Sequence, residues 1–152
     1  MKKRRTTRSP NVAETPPRYP AHSGARLLLD THVWLWWKAG ARSLGPRARE
    51  TIVRAGEVRL SVASVWEIVI KVSSGKLRIP ALDSFAVELA KHGFRELPVE
   101  LRHVEAVAQL PRIHRDPFDR IICAQAGIEG LTLVTSDARL SRCGIQTLPA
   151  AI

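Results

Sequence analysis

The chain has 152 residues and 45% hydrophobic content, the size of one compact α/β domain that can bury an adequate core. Its net charge is +10, which suits a polyanionic partner and argues against a cationic substrate. No apolar run approaches the roughly 20 residues that span a bilayer, and two cysteines, Cys123 and Cys143, make neither a disulfide framework nor a zinc site; a membrane protein and a disulfide-stapled secreted domain are excluded, and a reducing cytoplasm is the expected setting.

Residues 1–25 carry Lys2, Lys3, Arg4, Arg5, Arg8 and Arg18 against Glu14, net +5, with four prolines and almost no large aliphatic side chain. This composition predicts a disordered basic arm. It has no apolar h-region, and its prolines argue against a transit helix. A nucleic-acid-binding arm, a solvated tail and an upstream translation start all remain open for it. Residues 26–152, the expected folded domain, still carry 18 basic and 13 acidic residues.

Within that domain Leu27-Leu28-Leu29-Asp30 reads as a short buried strand over 27–30, leading into a Trp-rich helix over 31–38. Ser43-Leu44-Gly45-Pro46 opens a helix to Ala55, ended by Gly56. A strand over 57–62 precedes a helix over 64–74 stopped by Gly75, and another helix runs over 84–92 before Gly93. Residues 94–98 read as a short strand, 100–109 and 117–129 as helices, the second stopped by Gly130, and 131–135 and 145–148 as the last strands. Apolar strands alternating with helices predict a mostly parallel sheet covered on both faces.

Four acids, Asp30, Glu67, Asp119 and Asp137, fall where apolar runs stop, and most have no obvious basic neighbour to explain them as surface ion pairs. Asp30 and Asp137 lie at carboxyl ends of strands, where open α/β sheets bind ligands. Glu67 and Asp119 sit at helix starts, where capping is the ordinary explanation: Ser64-x-x-Glu67 has capping-box spacing, and Asp116-Pro117 is an N-cap followed by proline, with Asp119 in the first turn. As a set of four the capping explanation weakens. Two carboxylates about 5 Å apart repel by roughly 3 kcal/mol at an effective dielectric near 20, so a converging cluster either protonates or binds a cation. All-oxygen sites favour Mg²⁺ or Mn²⁺. Phosphodiester hydrolysis is the natural reaction for such a site, with one or two ions activating water and neutralising the leaving oxygen.

The segments around Asp30-Thr31-His32, Ser64-Val65-Trp66-Glu67, His114-Arg115-Asp116-Pro117-Phe118-Asp119-Arg120 and Thr135-Ser136-Asp137, in that order, resemble the motifs of the PIN-domain ribonucleases, specifically the toxin of the VapBC toxin–antitoxin type. The resemblance spans about residues 26–149. It implies a PIN-like three-layer α/β/α fold and a Mg²⁺- or Mn²⁺-dependent endoribonuclease that cuts RNA to arrest translation and is held inactive by a cognate antitoxin. Asp30, Glu67, Asp119 and Asp137 match the family's acidic quartet, as catalytic and metal-binding residues. Asp116 is an extra acid, a cap or outer-shell partner, and Thr135 and Ser136 belong to a segment resembling the family's Thr-x-Asp, whose hydroxyl steadies a carboxylate or a metal-bound water. The long basic arm departs from the family's usual short start.

Other residues carry two readings. His32 and His114 are metal ligands or helix-start and loop histidines, and sufficient oxygen ligands favour the second. Trp34, Trp36, Trp37 and Trp66 form a base-stacking platform or, more commonly, core and interface. Trp36 and Trp37 cannot both face one side of a helix, so an exposed Trp suits a homodimer or antitoxin surface. Arg112, Arg115 and Arg120 hold RNA phosphate or balance charge in a solvated loop. A haloacid-dehalogenase-like phosphatase is disfavoured because His32 stands where its second acid belongs, and a receiver domain because no Lys follows Lys91. A catalytically inactive RNA- or protein-binding module and a housekeeping RNA-processing nuclease remain as alternatives within the fold.

Overall fold

A computed structural model describes residues 24–81, 84–113 and 115–152; the expected arm, apart from its last two residues, and His114 lie outside them. Five strands, β1 (Arg26–Leu29), β2 (Glu57–Ser61), β3 (Arg95–Leu97), β4 (Thr132–Thr135) and β5 (Thr147–Pro149), pair in the order β3-β2-β1-β4-β5. Every pairing is parallel. The chain steps outward from β1 through β2 to β3, then crosses to β4 on the other side of β1. That reversal makes a switch point between β1 and β4, and it opens a crevice beyond their carboxyl ends.

The central strand explains the layering. Leu27 and Leu29 face one core with Val33 and Trp34 of α1 (Thr31–Ala39), Ile52 of α2 (Pro46–Arg54), Ile68 of α3 (Val62–Ser73) and Leu89 of α4 (Phe85–Lys91). Leu28 faces a second core with Ile122, Cys123 and Ala126 of α6 (Pro117–Glu129) and with Leu133. All three leucines are buried, as a strand covered on both faces requires, and each stabilises the fold by about 1.5–3 kcal/mol. The short helix α5 (Leu101–Val107) packs on α6. Buried His103 joins the two: its Nδ1 accepts from the Glu100 N–H at 3.0 Å, so Nε2 carries the proton donated to Glu129 Oε1 at 2.8 Å. Among the described residues no helix is long and apolar enough to cross a membrane.

Three local expectations need correction. The helix expected over 64–74 begins at Val62, because β2 stops at Ser61 and the Ser61 hydroxyl already accepts from Ala63 N–H at 3.0 Å. The Ser64–Glu67 capping box therefore does not form; the Ser64 hydroxyl is buried without a described partner, and Glu67 lies in the second turn. A 3-10 helix over Ala138–Cys143, capped by Asp137, moves the last strand to Thr147–Pro149. Trp36 and Trp37 both pack partly buried against the core with fully buried Trp34, and the exposed tryptophan is Trp66. The chain end contributes as well: Gly45 and Ala48, at the start of α2, donate their N–H groups to the Ala150 and Ile152 carbonyls at 2.8 and 3.1 Å. A Cβ at Gly45 would stand 2.3 Å from the Ile152 oxygen, so only glycine fits there.

Candidate active site

Asp30 is the residue after β1, and the β1–β4 register sets it level with Thr135. The buried Thr135 hydroxyl donates to Asp30 Oδ2 at 2.7 Å and accepts from the Asp137 N–H at 3.0 Å. One side chain thereby fixes the rotamer of the first acid and the backbone approach to the last. Burial pushes the Asp30 carboxyl up, and nearby Glu67 adds to this, while the Thr135 hydrogen bond, His32 and the Thr31 backbone oppose it.

Glu67 arrives from α3, whose buried face carries Ser64, Glu67 and Ile68. Thr31, in the first turn of α1, donates its hydroxyl to Glu67 Oε2 at 2.7 Å, and Lys71, one turn on, donates to Oε1 at 2.6 Å. Asp116 caps α6 as the Asp-Pro signal predicts, its Oδ1 accepting from the Phe118 and Asp119 N–H groups at 2.8 and 3.4 Å. That cap aims the first turn, and so Asp119, at the crevice. Asp119 is half-buried and its carboxyl is pushed up to about 7, first by burial and then by the charges of Asp30, Asp116, Glu67 and Asp137. The four expected acids are therefore brought into one electrostatic neighbourhood from four elements.

Asp137 follows β4 and pairs with Arg139, which donates its backbone N–H and Nε to Oδ1 at 2.9 and 3.0 Å and Nη2 to Oδ2 at 2.8 Å. The expectation that most of the acids lack basic neighbours is corrected here: Glu67 and Asp137 are offset by Lys71 and Arg139. The signals were present as i,i+4 and i,i+2 spacings. Among the described residues no three acidic, His or Cys side chains already stand as a metal-ligating group. The donors nonetheless suit a hard divalent ion, being all carboxylate oxygen with the Thr135 hydroxyl behind them. The raised Asp119 carboxyl marks the member of the set that a cation would relieve most.

The remaining candidates divide. Ser136 is exposed at the strand end, and Arg112 and Arg115 are exposed on the loop before α6. Arg120 donates Nη1 to the Pro111 carbonyl at 3.1 Å and Nη2 to the Val107 carbonyl at 2.9 Å, stapling the end of α5 to α6. His32 is exposed, with its ring 6.4 Å from Trp36. Trp66 and Phe118 meet edge to face at 5.4 Å, and each immediately precedes one of the acids. They line an apolar groove of about 710 Å³ with Val62, Val104, Val107 and Ile121.

The PIN domain model matches residues 27–145, and this chain, with its five-stranded parallel sheet, belongs to the PIN-domain family. It is 33% identical over 117 residues to Ribonuclease VapC22 of Mycobacterium tuberculosis (strain ATCC 25618 / H37Rv), covering 75% of this chain and 88% of that protein. Among solved structures it is similar to FitAB bound to an IR36 DNA fragment, with TM-score 0.61 and 18% identity over 83% of this chain and 96% of that one. VapBC2 from Rickettsia felis, bound to a DNA fragment from its promoter, gives TM-score 0.57 and 13% identity over 81% and 97%. The two structures establish likeness of fold.

Proposed function

We propose that this protein is a metal-dependent endoribonuclease acting as the toxin of a toxin–antitoxin pair, with Asp30, Glu67, Asp119 and Asp137 as its catalytic and metal-binding acids. The observation that carries the reading is the Asp119 carboxyl, pushed up to about 7 first by burial and then by the charges of Asp30, Asp116, Glu67 and Asp137, with Thr135 joining Asp30 to the Asp137 backbone. The 33% identity to a VapC ribonuclease supports the substrate class. Mg²⁺ or Mn²⁺, as one or two ions, would sit among these four carboxylates and supply an activated water and charge neutralisation at the leaving oxygen.

The chain's own residues do the positioning. Thr135 holds Oδ2 of Asp30, while Thr31 holds Oε2 of Glu67. Lys71 and Arg139 balance two of the acids, the charge that a bound cation would otherwise supply. Asp116 fixes the α6 first turn, and Arg120 fixes the loop before it, so that exposed Arg112 and Arg115 present charge to RNA phosphate beside the acids.

Two apolar surfaces suit the two protein partners. Val62, Trp66 and Val69 form an exposed stripe at helical spacing on α3, beside exposed Leu101 and Val104 on α5, and this broad face suits a second copy of the chain. A smaller groove of about 420 Å³ is lined by Leu35, Trp36, Leu77, Ile79 and by His32, two residues after Asp30, and suits an apolar antitoxin segment. A basic side chain carried on that segment would reach the acids and compete with the cation.

The test is Asp30→Asn, assayed for RNA cleavage with Mg²⁺ or Mn²⁺ and for growth arrest on expression. Loss of both with an unchanged circular dichroism spectrum is expected. Wild-type protein that neither cuts RNA with either ion nor slows growth would overturn the reading and favour the binding-module or housekeeping alternatives.

A further inference from the structure

Cys123 and Cys143 are the chain's two cysteines, twenty residues apart in sequence, and the fold brings them together. Cys123 is buried on α6, one turn after Asp119. Cys143 is the last residue of the 3-10 helix that Asp137 caps, and it is half-buried. Cys123 lies in the core of Leu28, Leu133 and Leu140 and Cys143 packs against that same core, where α6 meets the 3-10 helix. A pair of small buried thiols ordinarily fills core volume. Two features set this pair apart: the elements it joins each carry one of the proposed catalytic acids, and one member, Cys143, is only half-buried.

We propose that Cys123 and Cys143 are a modification site, forming an intramolecular disulfide when a small-molecule disulfide acts as oxidant, and that this bond reversibly disables the acid cluster. The first part stands on the cysteines alone, and the second rests on the ribonuclease reading. The Cys143 thiolate attacks one sulfur of the oxidant, forming a mixed disulfide and expelling one thiol. Cys123 then loses its proton to solvent and attacks Cys143 Sγ, expelling the second thiol. Two protein thiols are oxidised to one disulfide, and the oxidant is reduced to two thiols. Burial and the neighbouring Cys143 push the Cys123 thiol up, which makes its attack the slow step and speeds the reaction as the pH rises.

The consequence for the site follows from length. An S–S bond is about 2 Å, shorter than any thiol–thiol contact, so closure shifts the 3-10 helix against α6 and displaces Asp137, its cap, relative to Asp119. Displacements near 1 Å in a catalytic constellation cost on the order of 10²-fold in rate.

The full-length reduced protein, incubated with oxidised glutathione, is followed by intact mass, by peptide mapping without reductant and by RNA cleavage. The expected product is two hydrogen atoms lighter, with the 123 and 143 peptides linked. Cleavage falls by on the order of ten- to a hundredfold and returns with dithiothreitol, Cys143→Ser gains no cross-link and keeps its activity, and Cys123→Ala stops at the glutathione adduct on Cys143. A stable glutathione adduct on Cys143 of the wild-type protein, a disulfide between two chains, or an intramolecular disulfide that leaves cleavage unchanged would overturn the proposal. If the reduced protein cleaves no RNA, the ribonuclease reading and the second part fall together, while mapping still decides whether the pair closes.

Discussion

Replacing Asp119 with Asn probes the acid cluster through stability, independently of any assay for cleavage. Asp119 is half-buried and its carboxyl stands at about 7 against an ordinary 3.8, raised by burial and then by four other carboxylates. That difference, at roughly 1.4 kcal/mol per pH unit, bounds the cost of ionising Asp119 in the folded state at about 4 kcal/mol. About half of the group remains wet, and solvent screening reduces the figure to about 2 kcal/mol. Because the folded value lies above the unfolded one, the folded protein holds a proton that the unfolded chain has released between about pH 4 and pH 7. Stability therefore falls as the pH rises through that window and levels off above it. Asn carries no charge and escapes the penalty. Urea unfolding in the presence of a chelator should show Asp119→Asn more stable than wild type by about 2 kcal/mol near pH 8, with the advantage gone near pH 4. RNA cleavage by the same variant should be lost. A variant no more stable than wild type near pH 8 would mean that neither burial nor the other carboxylates penalise the charged form of Asp119, and its place in the acid cluster would fall.

Thr135→Val removes a buried hydroxyl that serves both Asp30 and the Asp137 N–H; it should cost about 1–3 kcal/mol in urea unfolding and lower Mn²⁺ affinity by about 10- to 100-fold in calorimetry, with Thr135→Ser close to wild type. Arg139→Gln frees the Asp137 carboxylate from its bidentate partner, so Mn²⁺ should bind severalfold more tightly by the same method; unchanged or weaker binding would remove Arg139 as a competitor. Arg120→Lys cannot reproduce the two-carbonyl grip on Val107 and Pro111 and should lower the melting temperature by several degrees, whereas a variant that lost only RNA affinity would return Arg120 to the phosphate-binding role. Trp66→Glu, on a side chain 62% exposed, should leave the fold intact and turn a dimer into a monomer in light scattering, which would identify the α3–α5 face as the contact.

Much of the site was encoded in local patterns, because the chemistry of strand ends and helix starts is local. Leu27-Leu28-Leu29 ahead of Asp30, the Asp116-Pro117 cap that aims Asp119, and the glycine at 130 with φ 63° each act through residues a few positions apart, so sequence by itself determined that these elements form and that acids close them. Strand order carries no such local mark. Only the crossing of the chain from β3 to β4 on the far side of β1 brings Thr135 to Asp30 and makes two strand ends into one crevice. The same reason accounts for the corrections. Whether Ser61 or Ser64 caps α3 depends on where β2 stops pairing with β1 and β3. The meeting of Cys123 with Cys143 likewise depends on α6 packing against the 3-10 helix, a contact that only the tertiary structure decided.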